Sequence, residues 1–296
     1  MKISVIVTVL NEQNTISFLL GGLLNQTHKA DEIIICDGGS TDNTAVIINN
    51  YDSKKIKFFK KKGNRSVCRN LAIKKAKNNW IAITDAGCIP DKRWLENLIK
   101  KQNQTNLSVV AGFYKGLAKT NFEKAVTPYA LVMPDRVDPN NFLPATRSML
   151  IKKSVWQELK GFDEKLNLNE DYAFSLKIKK TYKIAFAKNA VVGWMPRKNI
   201  FGFAKMIYNF AKGDIQAGIF RPKVFLIFAR YLIALILLIY SQISLLLVLF
   251  GFYIAWSITK NYSYAKQSWY YLPILQISSD IFIMLGSITG LIKAVL

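Results

Sequence analysis

The spacing of apolar positions along the first half of the chain switches repeatedly between two periods. Ile3 to Val9 is a short β-branched run, which favours a strand. Asn11-Glu12-Gln13-Asn14 then opens a stretch that carries Ile16, Leu19, Leu20, Leu23 and Leu24 on one helical face. The alternation continues with a strand over Glu32 to Cys36, then a helix from about Thr41 with Ser40 or Thr41 as its cap. A strand at Ile56 to Lys60 leads to a helix from Arg65 to Lys77, and a strand at Trp80 to Thr84 leads to a helix from Asp91 to Lys101. Strands alternating with helices of this length predict right-handed crossovers and an α/β domain with a mostly parallel sheet, helices on both faces.

Beyond a further strand at Leu107 to Tyr114 the order is less regular. Thr127 to Pro144 holds four prolines and reads as loop or short helix with turns. A strand at Thr146 to Ile151 follows, then Gly161-Phe162-Asp163, a helix opened by Asn169-Glu170-Asp171, and closing strands at Ile184 to Ala187 and Val191 to Trp194. Arg197 to Lys223 mixes Phe201, Phe203, Met206, Ile207 and Phe210 with lysines at near-helical spacing. It predicts an amphipathic helix, either packed on the globular part or lying among lipid headgroups. From Tyr231 to Thr259 there is no formal charge, and from Gln267 to Ile292 only Asp280. Runs of that length exceed the roughly 20 apolar residues that a bilayer crossing needs, so a transmembrane anchor of two or three helices is expected. Arg230 and Asp280 are costly in lipid and are expected to pair. The domain reading is 1–200 for the α/β domain, 201–223 for the basic segment and 224–296 for the anchor.

Net charge changes this picture in one respect. The formal net charge is +22, and residues 1–223 hold 37 Lys/Arg against 18 Asp/Glu. Beside an apolar tail such a surplus suits lipid and phosphate, and no nucleic-acid motif accompanies it. Positive charge also marks the cytoplasmic side of an integral membrane protein, so the α/β domain is expected to face the cytoplasm, at the cell inner membrane in a bacterium. The amino terminus has neither the length nor the cleavage site of a signal peptide. Cys36, Cys68 and Cys88 show neither metal spacing nor a disulfide framework, and the single histidine, His28, excludes histidine-based triads.

Two strands run directly into an aspartate followed by small residues: Cys36-Asp37-Gly38-Gly39-Ser40-Thr41-Asp42 and Thr84-Asp85-Ala86-Gly87. Open parallel sheets bind ligands at the carboxyl ends of their strands, where such carboxylates reach a ribose hydroxyl or a metal ion. Together with Val5-Ile6-Val7-Thr8-Val9-Leu10-Asn11-Glu12, Asn64-Arg65-Ser66-Val67-Cys68-Arg69-Asn70, Gly161-Phe162-Asp163 and Glu170-Asp171, these segments resemble glycosyltransferase family 2, the large inverting family with the GT-A fold. The resemblance covers about residues 1–200. Asp85-Ala86-Gly87 stands at the family's DxD position, and this triplet and the stretch from Trp194 to Gly218 are similar to exopolysaccharide enzymes of the succinoglycan type.

That resemblance implies a membrane-anchored enzyme moving one sugar from a nucleotide-diphosphate sugar, with a UDP-sugar favoured, to a lipid-linked or cell-surface glycan acceptor. It implies a nucleoside pocket lined by Thr8, Asn11, Glu12 and Asp37, with Arg65 and Arg69 toward phosphate. Asp85 would face the diphosphate through Mg²⁺ or Mn²⁺, ions that suit hard oxygen ligands. Asp171 would be the general base, with Glu170 orienting it or sharing its task. Gly38 and Gly87 replace the family's usual second aspartates, which leaves one direct carboxylate for a metal. The QxxRW motif of processive synthases is absent, so a single addition is expected. The alternatives are a polyprenyl-phosphate glycosyltransferase and a non-catalytic nucleotide- or partner-binding membrane protein of the same fold.

Overall fold

The structure is a computed structural model that describes residues 1–295. Its strands are β1 (Ile3–Val9), β2 (Glu32–Asp37), β3 (Ile56–Lys60), β4 (Trp80–Ile83), β5 (Cys88–Pro90), β6 (Val109–Gly116), β7 (Met149–Lys152) and β8 (Ala185–Trp194). Between them lie α1 (Ile16–Leu24), α2 (Thr44–Asn49), α3 (Arg65–Lys75), α4 (Trp94–Thr105), α5 (Asn121–Ala130), α6 (Lys153–Glu158) and α7 (Glu170–Thr181). The carboxyl-terminal helices are α8 (Ile200–Gln216), α9 (Pro222–Ile239), α10 (Ile243–Thr259) and α11 (Leu272–Val295).

The eight strands form one sheet in the order β3-β2-β1-β4-β7-β6-β8-β5. The β3-β2-β1-β4 half is parallel, β7 is antiparallel to both β4 and β6, β6 pairs parallel with β8, and β5 closes the edge antiparallel. Chain order reverses direction across β1, with β2 on one side and β4 on the other. That switch point is where parallel sheets open a crevice at their carboxyl ends. Ile6, Ile34, Ile81 and Ile83 of these strands pack with Ala72 and Ile73 of α3 and with Phe162 and Phe174, all buried. The two expected closing strands are a single strand, β8, whose register against β6 jumps between Gly112 and Phe113. A close approach at Gly112 sets that kink: a Cβ there would lie 1.9 Å from Ser148 Oγ and 2.8 Å from the Ala190 carbonyl oxygen.

Two expected helix starts move, for the same reason. α1 begins at Ile16 because Asn11 turns left-handed (φ 55°) and binds the loop after β2. α2 begins at Thr44, with Asn43 at its cap position. Ser40 does not cap it, because its hydroxyl already donates to Asp37 and accepts from the Asn11 amide. Thr41 is held by Asn11 in the same way.

The chain divides into two compact units, Met1–Leu117 with Pro134–Met195, and Ala118–Met133 with Pro196–Leu296. The segment Ala118–Met133, read above as part of the α/β domain, thus groups with the carboxyl-terminal helices. It forms α5, opened by a reciprocal capping box between Thr120 and Glu123. Tyr129 donates to the Leu272 carbonyl (3.1 Å) and packs edge-on to Phe203, and Phe122 packs edge-on to Tyr271. In this second unit α9 and α11 are long and apolar enough to cross a membrane, and α10 is a shorter apolar helix. The expected pair is present: Arg230 donates to Asp280 Oδ2, which also accepts from the Tyr253 hydroxyl at 2.7 Å.

Candidate active site

β1 and β2 run parallel with Val9 opposite Asp37, so their following loops leave the sheet at one level. Asp37, 1% exposed, accepts three hydrogen bonds on Oδ1: from the Gly39 amide (3.1 Å), the Ser40 amide (2.8 Å) and the Ser40 hydroxyl (2.8 Å). The turn that permits this needs Gly39 at φ +110°. Asn11 Oδ1 accepts from the Thr41 amide at 2.9 Å, and the Glu12 amide donates to Thr44 Oγ1 at 2.7 Å. The Glu12 carboxylate accepts from the Thr15 hydroxyl. Asn11, Glu12 and Asp37 are therefore brought together in one cross-braced rim. Thr8, half-buried, lies one ladder step below it, opposite Cys36. A Cβ on Gly38 would sit 3.0 Å from the Gly63 carbonyl oxygen, so this loop is shaped around glycine at the position where the resembled motif has an aspartate.

The acidic residues lie around a buried arginine. Arg69 of α3, 1% exposed, donates to Glu170 Oε1 (3.1 Å), Asp85 Oδ1 (3.3 Å) and Thr146 Oγ1 (3.4 Å), with its guanidinium 4.9 Å from the centre of the Phe162 ring. The Thr146 hydroxyl donates in turn to Asp85 Oδ2 at 3.3 Å. Burial works against the Arg69 charge, yet Asp85, Glu170 and Asp171 outweigh it and hold the guanidinium protonated more firmly than usual. Glu170 is buried, whereas Asp85 and Asp171 are partly open. Asp171 Oδ1 accepts from the Tyr172 amide at 2.8 Å. Arg65, one turn earlier on α3, is exposed, so the two arginines that the resemblance directs to phosphate occupy different environments. Cys88, beside Asp85, is buried and its thiol is pushed up to about 12 by desolvation and by that carboxylate, which keeps it inert.

The segment that carries Glu170 is tied down by residues that sequence reasoning quoted without assigning a task. Asn64 caps α3 through the Val67 amide (3.0 Å), and its amide nitrogen donates to the Glu164 (2.7 Å) and Leu166 (3.2 Å) carbonyls. Asn70 Oδ1 accepts from the Phe162 amide (3.0 Å) and Trp156 Nε1 (3.1 Å), while its nitrogen donates to the Phe162 carbonyl (2.8 Å). Gly161 fits beneath them at φ +68°, where a Cβ would lie 2.8 Å from Asn70 Oδ1. Asp163, the third residue of the Gly161-Phe162-Asp163 run, is exposed and bonds only locally, to the Lys165 amide at 2.9 Å.

Among the described residues no cluster of three or more His, Cys, Asp or Glu side chains forms a metal cage. Asp85 is nevertheless a hard oxygen donor, 33% exposed just past the carboxyl end of β4, and shares Arg69 with the Glu170 carboxylate. That donor set fits Mg²⁺ or Mn²⁺ delivered with phosphate oxygens, which needs only one or two protein carboxylates.

Comparison with known proteins matches residues 4–162 to the family Glycosyl transferase family 2. Glycosyltransferase AglE of Haloferax volcanii is 24% identical over 224 residues, covering 72% of this chain and 73% of AglE. UDP-Glc:alpha-D-GlcNAc-diphosphoundecaprenol beta-1,3-glucosyltransferase WfaP of Escherichia coli is 36% identical over 102 residues, 34% of this chain and 39% of WfaP. Staphylococcus aureus TarS, solved over residues 1–349 with UDP-GlcNAc, superposes with a TM-score of 0.55 at 21% identity, covering 71% of this chain and 66% of that one. The chain thus spans about three quarters of AglE but well under half of WfaP.

Proposed function

The chain belongs to glycosyl transferase family 2, and from that premise we propose that it moves a single sugar from a UDP-sugar to a lipid-linked or cell-surface glycan acceptor at a membrane, with inversion. The Arg69 bridge carries this reading. It couples Asp85, at the carboxyl end of β4 where a diphosphate would arrive, to Glu170, next to the candidate base Asp171. Fixing donor-side and acceptor-side carboxylates to one buried cation holds the reacting groups in a set geometry, which is where much of the barrier reduction in a two-substrate transfer originates.

The roles are those that the resemblance implies, with the burial pattern supporting the division between Arg65 and Arg69. The Asp37 rim with Thr8, Asn11 and Glu12 takes the nucleoside, the strand-end arrangement supplying hydrogen-bonding groups at the switch point. Asp85 is the residue that would hold a divalent cation, which would supply positive charge against the leaving diphosphate. Arg69, its charge matched by carboxylates, positions them rather than holding phosphate, and Arg65 is the cation left exposed for that task. Glu170 is engaged by Arg69, so Asp171 removes the proton of the acceptor hydroxyl as its oxygen bonds to the sugar carbon and the bond to the diphosphate breaks.

The names of WfaP and of the TarS complex support a UDP-linked donor, and that of WfaP supports a lipid diphosphate as acceptor. Attachment of the second unit to a membrane holds the enzyme on the cytoplasmic face beside such an acceptor, raising its effective concentration. Exopolysaccharide assembly of the succinoglycan type is the setting that the Asp85-Ala86-Gly87 sequence fits. The test is nucleoside diphosphate release by the detergent-purified full chain from a panel of nucleotide sugars, with Mg²⁺ or Mn²⁺ and a crude lipid extract. Acceptor-dependent UDP release that falls by about 10²–10⁴ in Asp171→Asn, with UDP binding retained, is expected; release unchanged in that variant would overturn the assignment.

A further inference from the structure

The second unit contains a pairing that bears on how the chain meets a bilayer. α11 packs along α8 through two glycines: a Cβ on Gly286 would lie 2.4 Å from the Tyr208 carbonyl oxygen, and one on Gly290 would lie 2.9 Å from Ile215 Cβ and 3.0 Å from the Lys212 carbonyl oxygen. As α11 advances from 286 to 290, its partner on α8 advances from 208 and 211 to 212 and 215, so the two helices lie side by side in the same direction. Contact through small residues at this spacing brings backbones close. α8 is not an apolar helix. Lys205, Asn209, Lys212 and Gln216 form one polar stripe along it, with Lys205 exposed, and Asp214 ends it in a two-pronged pair with Arg221.

A helix joined backbone to backbone with that stripe shares its surroundings, and Lys205 and Lys212, about two turns apart, do not sit in hydrocarbon. α11 itself carries a complementary pattern. Ile274, Ile281, Leu285, Ile288 and Ile292 are exposed along one face, while Gln276, Ser279, Asp280 and Ser287 are buried on another. One apolar stripe beside one basic stripe is the pattern of a helix pair lying in the plane of the headgroups.

The α9–α10 hairpin is different. Arg230, Tyr253 and Asp280 form its last polar tie, with Tyr253 and Trp256 stacked around the guanidinium at 4.7 and 5.6 Å. Past that tie, Tyr231–Ile239 and Ile243–Phe252 hold no charge and are mostly exposed, with Tyr231, Ala234, Leu237 and Leu246 half-buried. At 1.5 Å per residue these arms extend about 14 and about 15 Å, against a hydrocarbon core of about 30 Å. The turn between them closes the end of α9: Ser241 takes φ 54°, its amide donates to the Leu238 carbonyl, and the Gln242 amide donates to the Leu237 carbonyl. That leaves fewer carbonyls unpaired at the point placed deepest in lipid. Arg221 and Lys223 before the hairpin, with Lys260 and Lys266 after it, put basic residues on both flanks.

We propose that this protein is held by one leaflet: the α9–α10 hairpin dips to about the bilayer midplane and returns, α8 and α11 lie on the membrane surface, and no helix crosses. The proposal rests on the membrane attachment included in the functional reading above and not on its chemistry. Because Cys36, Cys68 and Cys88 are buried and unpaired, single cysteines can be added to the full chain against a quiet background. Ser241→Cys and Gln242→Cys at the tip, Leu291→Cys at the end of α11 and Lys205→Cys as reference are labelled with a membrane-impermeant maleimide, in sealed cells and in inverted vesicles. Leu291→Cys is expected to label from the same face as Lys205→Cys, and the tip positions from neither face until detergent is added. Tip labelling from the opposite face, or Leu291→Cys labelling from that face, would overturn the proposal. Release of the protein by an alkaline wash without detergent would overturn it too, together with the membrane attachment on which it rests. The expected labelling in membranes that release no UDP would support the insertion and count only against the catalytic reading.

Discussion

Replacing Arg69 with methionine keeps the bulk of the side chain and removes the charge. Both Arg69 and Glu170 are almost wholly buried, at 1% and 4% side-chain exposure, so the change leaves a carboxylate with little access to water. Removing one partner of such a pair costs about 3–5 kcal/mol. Asp85, at 33% exposure, adds at most about 1 kcal/mol because solvent screens it. The first unit, Met1–Leu117 with Pro134–Met195, falls in the size range where 1 kcal/mol moves Tm by about 2–4 °C. Arg69→Met should therefore melt roughly 6–24 °C below the parent. Amide hydrogen exchange in β1 and β4 during thermal unfolding in mild detergent reads this unit alone. In the Arg69→Met background, Glu170→Gln removes the stranded charge and should restore at least half of the loss, whereas alone it should destabilise. A single variant within about 1 kcal/mol of the parent, or no restoration in the double variant, would refute the claim that this pair organises the site.

Other consequences follow from contacts elsewhere in the first unit. Glu32 accepts from Ser4 Oγ (2.6 Å) and the Lys77 amide (2.7 Å) and pairs with Lys57. Burial pushes its carboxyl up, but Lys57, Ser4 and the Lys77 amide outweigh that and set it below the ordinary range. A lowered carboxyl stabilises the fold above its unfolded value of about 4.3 and loses that contribution as pH falls through the lower folded value. Denaturation of Glu32→Gln should show a deficit of about 1.5–3 kcal/mol at neutral pH that shrinks in acid. Gly112→Ala should lose about 3 kcal/mol or more, since its methyl displaces Ser148 Oγ from Trp94 Nε1 (2.8 Å) and the Ala190 carbonyl (3.0 Å), measurable by the same melt. For Asp85→Asn, donor affinity by calorimetry should no longer respond to chelation, whereas the native protein should weaken by about tenfold, or 1.4 kcal/mol, when the cation is removed.

The parallel half of the sheet was legible because each strand is a β-branched run ended by turn residues, a local signal. The antiparallel insertion of β7 between β4 and β6 was not, since Ala82 facing Leu150 and Val110 facing the same residue are choices made by partners far apart in sequence. The candidate site divides in the same way. Asp37, Asp85, Glu170 and Asp171 could be named because carboxylates at strand and helix ends are chemically suggestive. Asn64, Asn70 and Thr146 carried no such mark, because their task consists of bonds to residues tens of positions away, as with Asn70 and Phe162. Arg69 was named from its charge and its place in the motif, whereas its burial and its pairing with Glu170 and Asp85 depend on segments far away in sequence. α3 joins these parts: within two turns Asn64 and Asn70 fix the loop before α7 while Arg69 fixes the carboxylate that begins it. A helix packed on the sheet core by Ala72 and Ile73 thereby sets the position of Asp171 relative to Asp85. Rigid placement by one buried element accounts for a candidate site whose acidic residues come from segments about ninety residues apart.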